Sequence, residues 1–385
     1  MATANQEQGL LSFLDRMEAQ SPEAVGLDVG MARYLDYYAR ERGVPLRGVF
    51  ELTPRCNLDC RMCYVHLTER QLQESGRTPL TGSQWKGIMA QAIDAGMLNV
   101  LLTGGETLLH PDFDDIYLYL QGRGIEISVN TNGTLLTPER VAFFRKHPPK
   151  VLRVTLYGAD EDAYERVTGH RAFDRTLQGI IRARDAGLRL NISITPNRYM
   201  EDGGVALVHL AQSTGVPYVI NSFLSEPREE TGRDGDAHDV TVDDYIRLYL
   251  LKLAQEGKQP RPIPAGELPA PGGGIQESPR GLRCSGGRSA FAVLWNGMMQ
   301  PCLSYTQVQA DVLSVPFGEA WRSINEHVKQ VPLPMECEGC PYRNICPVCV
   351  VLHAEGAPAG HANPALCRRA MQMLTAGLGK IHECT

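Results

Sequence analysis

The chain has 385 residues, 43 % of them hydrophobic and 21 % charged, and a formal net charge of −6. This is an ordinary globular composition, long enough for two domains. The acidic balance speaks against a general nucleic-acid surface. No run of eighteen apolar residues offers a membrane span, and M-A-T-A-N-Q-E-Q lacks the basic-then-apolar order of a secretory signal, so a cytoplasmic protein is expected.

Residues 1–46 hold L-L-S-F-L-D-R-M and M-A-R-Y-L-D-Y-Y-A-R, both with helical apolar spacing. They read either as a packing extension of the next domain or as a docking element for a peptide. From 47 to 256 strand and helix alternate. Strands are predicted at 48–53, 98–103, 125–130, 151–157, 188–195 and 216–223. Helices are predicted at 84–96, 112–123, 137–146, 172–186, 205–214 and 242–255. Gly96, Gly124, Gly187 and Gly215 each stand between a helix and the next strand, where glycine ends helices. Such alternation implies a parallel sheet with right-handed crossovers. Six units fit an α/β fold with an open, partial (β/α)6 TIM-like barrel, whose site lies at the C-terminal ends of the strands. Residues 257–282 contain six prolines and six glycines and read as a linker. Residues 283–385 form a cysteine-rich second domain ending in a helix around 365–381.

Eleven cysteines are distributed as three at 56–63, none from 64 to 283, and eight from 284 onward. Two metal regions in a reducing compartment explain this better than a disulfide scaffold. The first is T-P-R-C-N-L-D-C-R-M-C-Y at 53–64, directly after the first strand, where Cys56, Cys60 and Cys63 are spaced C-x3-C-x2-C. Thiolates at this spacing suit an iron–sulfur cluster with one open coordination site; zinc with a distant fourth ligand is the alternative. Gly104-Gly105-Glu106 ends the second strand, where two glycines allow close approach to the backbone. Asn130-Thr131-Asn132-Gly133 ends the third, as a turn or as a polar ligand contact. Tyr64, Tyr157, His66 and His110 lie near strand ends, in either packing or site roles.

Together these motifs resemble the radical S-adenosylmethionine (SAM) enzymes. The resemblance implies that Cys56, Cys60 and Cys63 hold a [4Fe–4S] cluster whose fourth iron chelates SAM. Met62 stands where an aromatic residue is frequent. Gly104, Gly105 and Glu106 then meet the SAM amino group, and Asn130 or Asn132 the ribose. Thr155, in T-L-Y-G, replaces the serine of the usual Ser-Leu-Asp-Gly. Arg166 is the first choice and Arg171 the second for the SAM carboxylate, which suits an arginine fork. The later cysteines, Cys284, Gly297 and Cys302, then Cys337-x2-Cys340-x5-Cys346-x2-Cys349 and Cys367, resemble the SPASM extension, with one residue fewer before Cys349 than usual. The resemblance implies two auxiliary [4Fe–4S] clusters. Cys337, Cys340, Cys346 and Cys367 would hold the outer one, and Cys284, Cys302 and Cys349 the inner one. Cys384 is left as a fourth ligand, a hydrogen donor or a free thiol. A zinc-ribbon pair is the alternative for the whole block.

The implied activity is reductive cleavage of SAM to a 5′-deoxyadenosyl radical that takes hydrogen from substrate, with electrons from a flavodoxin- or ferredoxin-type donor. SPASM relatives mostly act on peptides, so the expected substrate is a precursor peptide or protein, modified after translation by cross-link, thioether, epimerisation or oxidation. A dehydrogenase or epimerase for a small molecule such as a carbohydrate is the second expectation. A non-catalytic iron–sulfur or zinc regulator is the third. No nucleic acid or membrane partner is expected. Three four-iron clusters predict about twelve irons after anaerobic reconstitution and about eight in the Cys56/Cys60/Cys63→Ala variant. About four irons together with zinc would remove both auxiliary clusters.

Overall fold

The computed structural model describes residues 27–221, 227–233, 242–260, 284–337, 340, 349–354 and 357–378, with side chains from residue 34. The helical reading at 10–17, most of the linker, Cys346 and Cys384 lie outside the described residues.

The chain opens with helix α1 (Leu27–Arg42) and strand β1 (Arg47–Glu51). The cysteine loop follows, then α2 (Glu69–Glu74), α3 (Gly82–Asp94) and β2 (Asn99–Thr103). Next come α4 (Phe113–Gly122), β3 (Glu126–Thr131), α5 (Pro138–Lys146) and β4 (Val151–Thr155). Then come α6 (Glu161–Thr168), α7 (Phe173–Asp185), β5 (Leu190–Ile194), α8 (Val205–Ser213), β6 (Tyr218–Ile220) and α9 (Val242–Gln255). The C-terminal part adds β7 (Ala290–Val293), β8 (Met298–Gln300), β9 (Ala310–Asp311), α10 (Phe317–Gln330), α11 (Val350–Ala354) and α12 (Pro364–Thr375).

Local chemistry sets the helix starts. Thr68 with Gln71, and Thr81 with Gln84, form reciprocal capping boxes. Thr137 caps α5 ahead of Pro138. Helix α6 was not expected from apolar periodicity; Asp160 starts it and Gly169, at φ 71°, ends it.

One nine-stranded sheet runs in the order β6-β5-β4-β3-β2-β1-β7-β8-β9. The six expected strands are all present and parallel. The sheet does not stop with them. β7, from beyond the Pro/Gly-rich segment, pairs parallel with β1, and β8 and β9 continue antiparallel. A four-residue apolar run is too short to announce a strand, but Ala-Phe-Ala-Val is nearly wholly buried, as a covered parallel strand must be. Its Phe291 ring meets Phe50 of β1 edge-on at 5.7 Å and Phe317 and Trp321 of α10 at 5.1 and 6.1 Å. α12 in turn lays Arg369 over the Tyr245 ring of α9 at 4.9 Å. A single buried apolar cluster therefore runs from Phe50 to Leu378.

On the helix-covered face of the sheet, Val129, Leu152, Val154 and Ile192 are buried in that cluster. The opposite, inner face carries Ser128, Asn130, Arg153, Thr155, Asn191 and Ser193, all partly exposed. Among the described residues no helix is long and apolar enough to cross a membrane.

Because Phe291 ties β1 to α10, Phe291→Ala is expected to cost about 3–5 kcal/mol and to lower one cooperative unfolding transition. Denaturant unfolding followed by tryptophan fluorescence and far-UV circular dichroism tests this. Two separated transitions, with the first half of the chain unshifted, would contradict the coupling.

Candidate active site at the cysteine loop

The loop that leaves β1 is fixed to the end of α6. Asp59 N–H donates to Thr168 O (2.8 Å) and Arg61 N–H to Val167 O (3.0 Å). Gly169 is required there, since a side chain would press on Asp59. Within the loop Cys63 N–H donates to Cys60 O (3.0 Å). The sulfurs themselves accept hydrogen bonds: Cys56 from Leu58 N–H (3.4 Å) and Asn132 Nδ2 (3.7 Å), Cys63 from His66 N–H (3.3 Å). Burial pushes the Cys56 thiol up to about 12, with Glu106 and Cys63 adding to the effect. Burial and the two neighbouring thiols push Cys60 well above its usual value, and burial raises Cys63. Three buried, mutually repelling sulfurs with backbone donors aimed at two of them need a bound cationic centre to ionise. That donor set fits a [4Fe–4S] cluster.

The Gly-Gly-Glu turn serves the loop before it serves any ligand. Gly105 N–H donates to Thr53 O (2.7 Å) and Glu106 N–H to Arg55 O (2.8 Å). A Cβ on Gly104, at φ 140°, would sit 2.5 Å from Thr53 O, and one on Gly105 2.2 Å from Arg55 O. The backbone these glycines admit is therefore the chain's own, not only a ligand's as the sequence suggested. Glu106 is fully buried. Its Oε1 accepts from Thr131 Oγ1 (2.8 Å) and Leu108 N–H (3.1 Å), and its Oε2 from Asn132 N–H (2.7 Å). Burial raises its carboxyl to about 7, while these donors pull it down. Asn132 continues the chain of contacts, donating to Asn57 Oδ1 (2.8 Å) and accepting from Thr134 Oγ1 (2.6 Å). Thus Gly104, Gly105, Glu106, Asn132 and Cys56 form one connected unit. Asn130 lies beside it with a buried Oδ1 that has no protein partner.

The remaining expected residues fall into place less evenly. Met62 is buried with Val167 and packs against Cys60 and Tyr157. The Tyr157 phenol is pushed well above its usual value by burial and by Cys60 and Cys63, so it stands beside the cluster loop. Thr155 is at the end of β4, in register with Ser193. Arg166 pairs with Glu201 (3.2 Å), one residue before the seam with the loop. Arg171 is engaged at the exposed surface by Asp162 and Glu165 (3.0 and 2.8 Å). His110 is a packing residue, with Nε2 bonded to Leu80 O (3.0 Å) and Nδ1 accepting from Asp112 N–H (3.1 Å).

Residues 227–233, which carried no motif, hold the loop from the other side. Arg228 makes a buried two-fold ion pair with Glu51 (2.7 and 2.9 Å) and lies over the Tyr64 ring at 5.3 Å. Arg233 donates to Cys60 O (2.6 Å), reaches His66 Nδ1 (3.0 Å) and pairs with Asp59. The available sequence signal was Glu51, a charge inside the first predicted strand.

The later cysteines gather in two groups. Burial, then Cys284, and then Cys349 among smaller effects, push the Cys302 thiol to about 12, so these three are neighbours. Cys337 is buried with Ala362 and packs against Cys367, whose thiol is raised by burial and by Cys340. The described cysteines are free thiols.

Residues 50–203 match the model of the Radical SAM superfamily, so this part of the chain is a radical SAM domain. The AdoMet-dependent heme synthase of Methanosarcina barkeri (strain Fusaro / DSM 804) is 28 % identical over 78 % of this chain and 89 % of its own length. The PqqA peptide cyclase of Streptomyces rochei is 30 % identical over 45 % of this chain and 46 % of its own. Among solved structures, Streptococcus suis SuiB bound to precursor peptide SuiA superposes with a TM-score of 0.64 at 16 % identity, over 90 % of this chain and 82 % of that one. SuiB has also been solved bound to S-adenosylmethionine. The match to the radical SAM superfamily implies a [4Fe–4S] cluster and SAM.

Gly105→Ala is expected to displace the loop at Arg55 and to lower loop-bound iron by about four atoms per chain. Gly122→Ala, where an added Cβ meets nothing within 4 Å, is the control. Iron and sulfide analysis of the reconstituted proteins checks both; full iron in Gly105→Ala would show that the loop tolerates the shift.

Proposed function

We propose that the chain is a radical SAM enzyme that modifies a peptide or protein, using a SAM cluster in the barrel and two auxiliary clusters beyond it. The observation that carries the reading is how the two cysteine regions are joined. Cys284 and Cys302 flank β7 and β8, and β7 is hydrogen-bonded to β1, the strand that feeds the first cysteine loop. Redox centres fixed to one sheet keep a constant separation, which suits passing an electron out of an oxidised substrate. The peptide-acting names of the PqqA cyclase and SuiB relatives support the choice of substrate.

When bound, the cluster and SAM would supply a 5′-deoxyadenosyl radical for hydrogen abstraction. The chain's own residues do the positioning. Cys56, Cys60 and Cys63 would ligate the cluster, with Arg233 and the α6 seam fixing their backbone. Asn130 or Asn132, with Thr155, would meet the ribose side of SAM, and Arg166 its carboxylate. Glu106 keeps the Gly-Gly-Glu turn against the loop and presents backbone groups to the amine. Tyr157 and Met62 exclude water from Cys60. A flavodoxin- or ferredoxin-type protein would deliver the electron. Cys284, Cys302 and Cys349 would hold the inner auxiliary cluster, and Cys337, Cys340, Cys346 and Cys367 the outer one.

A small-molecule substrate is the second reading. It is favoured by the heme synthase relative, which matches over nearly its whole length where the peptide cyclase matches over less than half. Formation of 5′-deoxyadenosine by the reduced holoenzyme, against panels of peptides and of small molecules, separates the two. The peptide reading expects at least a ten-fold stimulation by a peptide. Stimulation by small molecules alone would overturn it, and no SAM cleavage under any condition would leave a non-catalytic iron–sulfur protein.

A further inference from the structure

Arg153 stands in the middle of β4, and its neighbours on the strand, Leu152 and Val154, are buried under the helices. Its own side chain belongs to the inner face of the sheet. In register beside it are Asn130 on β3 and Asn191 on β5, and paired residues of parallel strands project to the same side. Among the described residues the Arg153 guanidinium has no hydrogen bond and no ion pair. Burial lowers its pKa, and no neighbouring acid opposes that shift. Both flanking asparagines have a buried Oδ1 without a protein partner. A half-buried cation and two unsatisfied acceptors side by side are costly unless a ligand completes them or water reaches them. Arg228 and Arg233, which follow β6, are already paired, with Glu51 and Asp59.

We propose that Arg153, with Asn130 and Asn191, forms an anion-recognising subsite on the inner face of the barrel that takes a carboxylate of the substrate. The guanidinium fork receives the carboxylate, and the two amide oxygens accept N–H or O–H groups beside it. Arg153 lies two residues, about 7 Å, below the end of β4, deeper than the rim where Thr155 stands. A group that reaches it passes the rim into the barrel. If the substrate is a peptide, as proposed above, the residue inserted carries an acidic side chain. This specificity rests on that reading, whereas the anion subsite itself does not.

The carboxylate could instead be that of SAM, and the test separates the sources. Reconstituted holoenzyme with SAM is titrated with N-acetyl-L-glutamate N-methylamide, its glutamine counterpart and glutarate, with binding read by calorimetry. SAM affinity is measured in parallel. Wild type is expected to bind the glutamate probe at least ten-fold more tightly than the glutamine one. Arg153→Met should erase that preference and Arg153→Lys keep part of it, with SAM affinity changed less than two-fold and iron content unchanged. Equal binding of the acid and amide probes by wild type overturns the proposal without recourse to any variant. Weaker SAM binding in Arg153→Met with the preference intact also overturns it, assigning the guanidinium to SAM. Arg153-dependent binding of glutarate, with neither capped probe bound, supports the subsite and overturns the peptide reading.

Discussion

Three sulfurs buried at one turn repel one another as they ionise, and much of the surrounding structure exists to hold them there. The loop has little regular secondary structure of its own. Its backbone is held by Gly105 and Glu106 from β2, by the end of α6, and by Arg233 from the segment after β6. These contacts come from parts of the chain separated by about fifty to more than 170 residues. A loop tied on three sides loses little further entropy when its ligand arrives, so more of the binding free energy is available to hold the cluster. The arginine also places a positive charge against Cys60, opposing the mutual repulsion of the thiolates.

The same economy governs the C-terminal region. A small cysteine-rich segment cannot bury enough apolar surface to fix its orientation alone. β7 solves this by joining the barrel sheet, and Phe291 extends the barrel core into α10. Cys284 and Cys302 thereby sit on the same rigid frame as Cys56.

What the sequence disclosed was what local chemistry encodes. The strand and helix alternation and the spacing of Cys56, Cys60 and Cys63 are readable because each depends on neighbours within a few residues. Helix α6 escaped because only eight residues lie between its caps, and β7 because four apolar residues have no distinctive period. The role of Gly104 and Gly105 was half legible: the need for close approach is encoded, but which backbone approaches is a tertiary fact. Arg228 and Arg233 could not be found from spacing at all, since their partners Glu51 and Asp59 are more than 170 residues away. Arg171 had the right chemistry, and its partners at the surface, Asp162 and Glu165, are a tertiary and helical fact.

The inner face of the sheet follows a different rule from the rest of the core. Closed barrels fill their interior with layers of branched apolar side chains. Here β3, β4 and β5 turn Ser128, Asn130, Arg153, Thr155, Asn191 and Ser193 inward, and packing covers them only in part. Such a surface contributes little to folding, and its unsatisfied amide oxygens oppose it. The helix-covered face must therefore supply most of the stability, which accounts for its dense run of buried aromatic rings from Phe113 through Tyr117 to Phe144. Polarity on one face of the strands and close packing on the other divide the labour: one face folds the chain, and the other is left for ligands to complete.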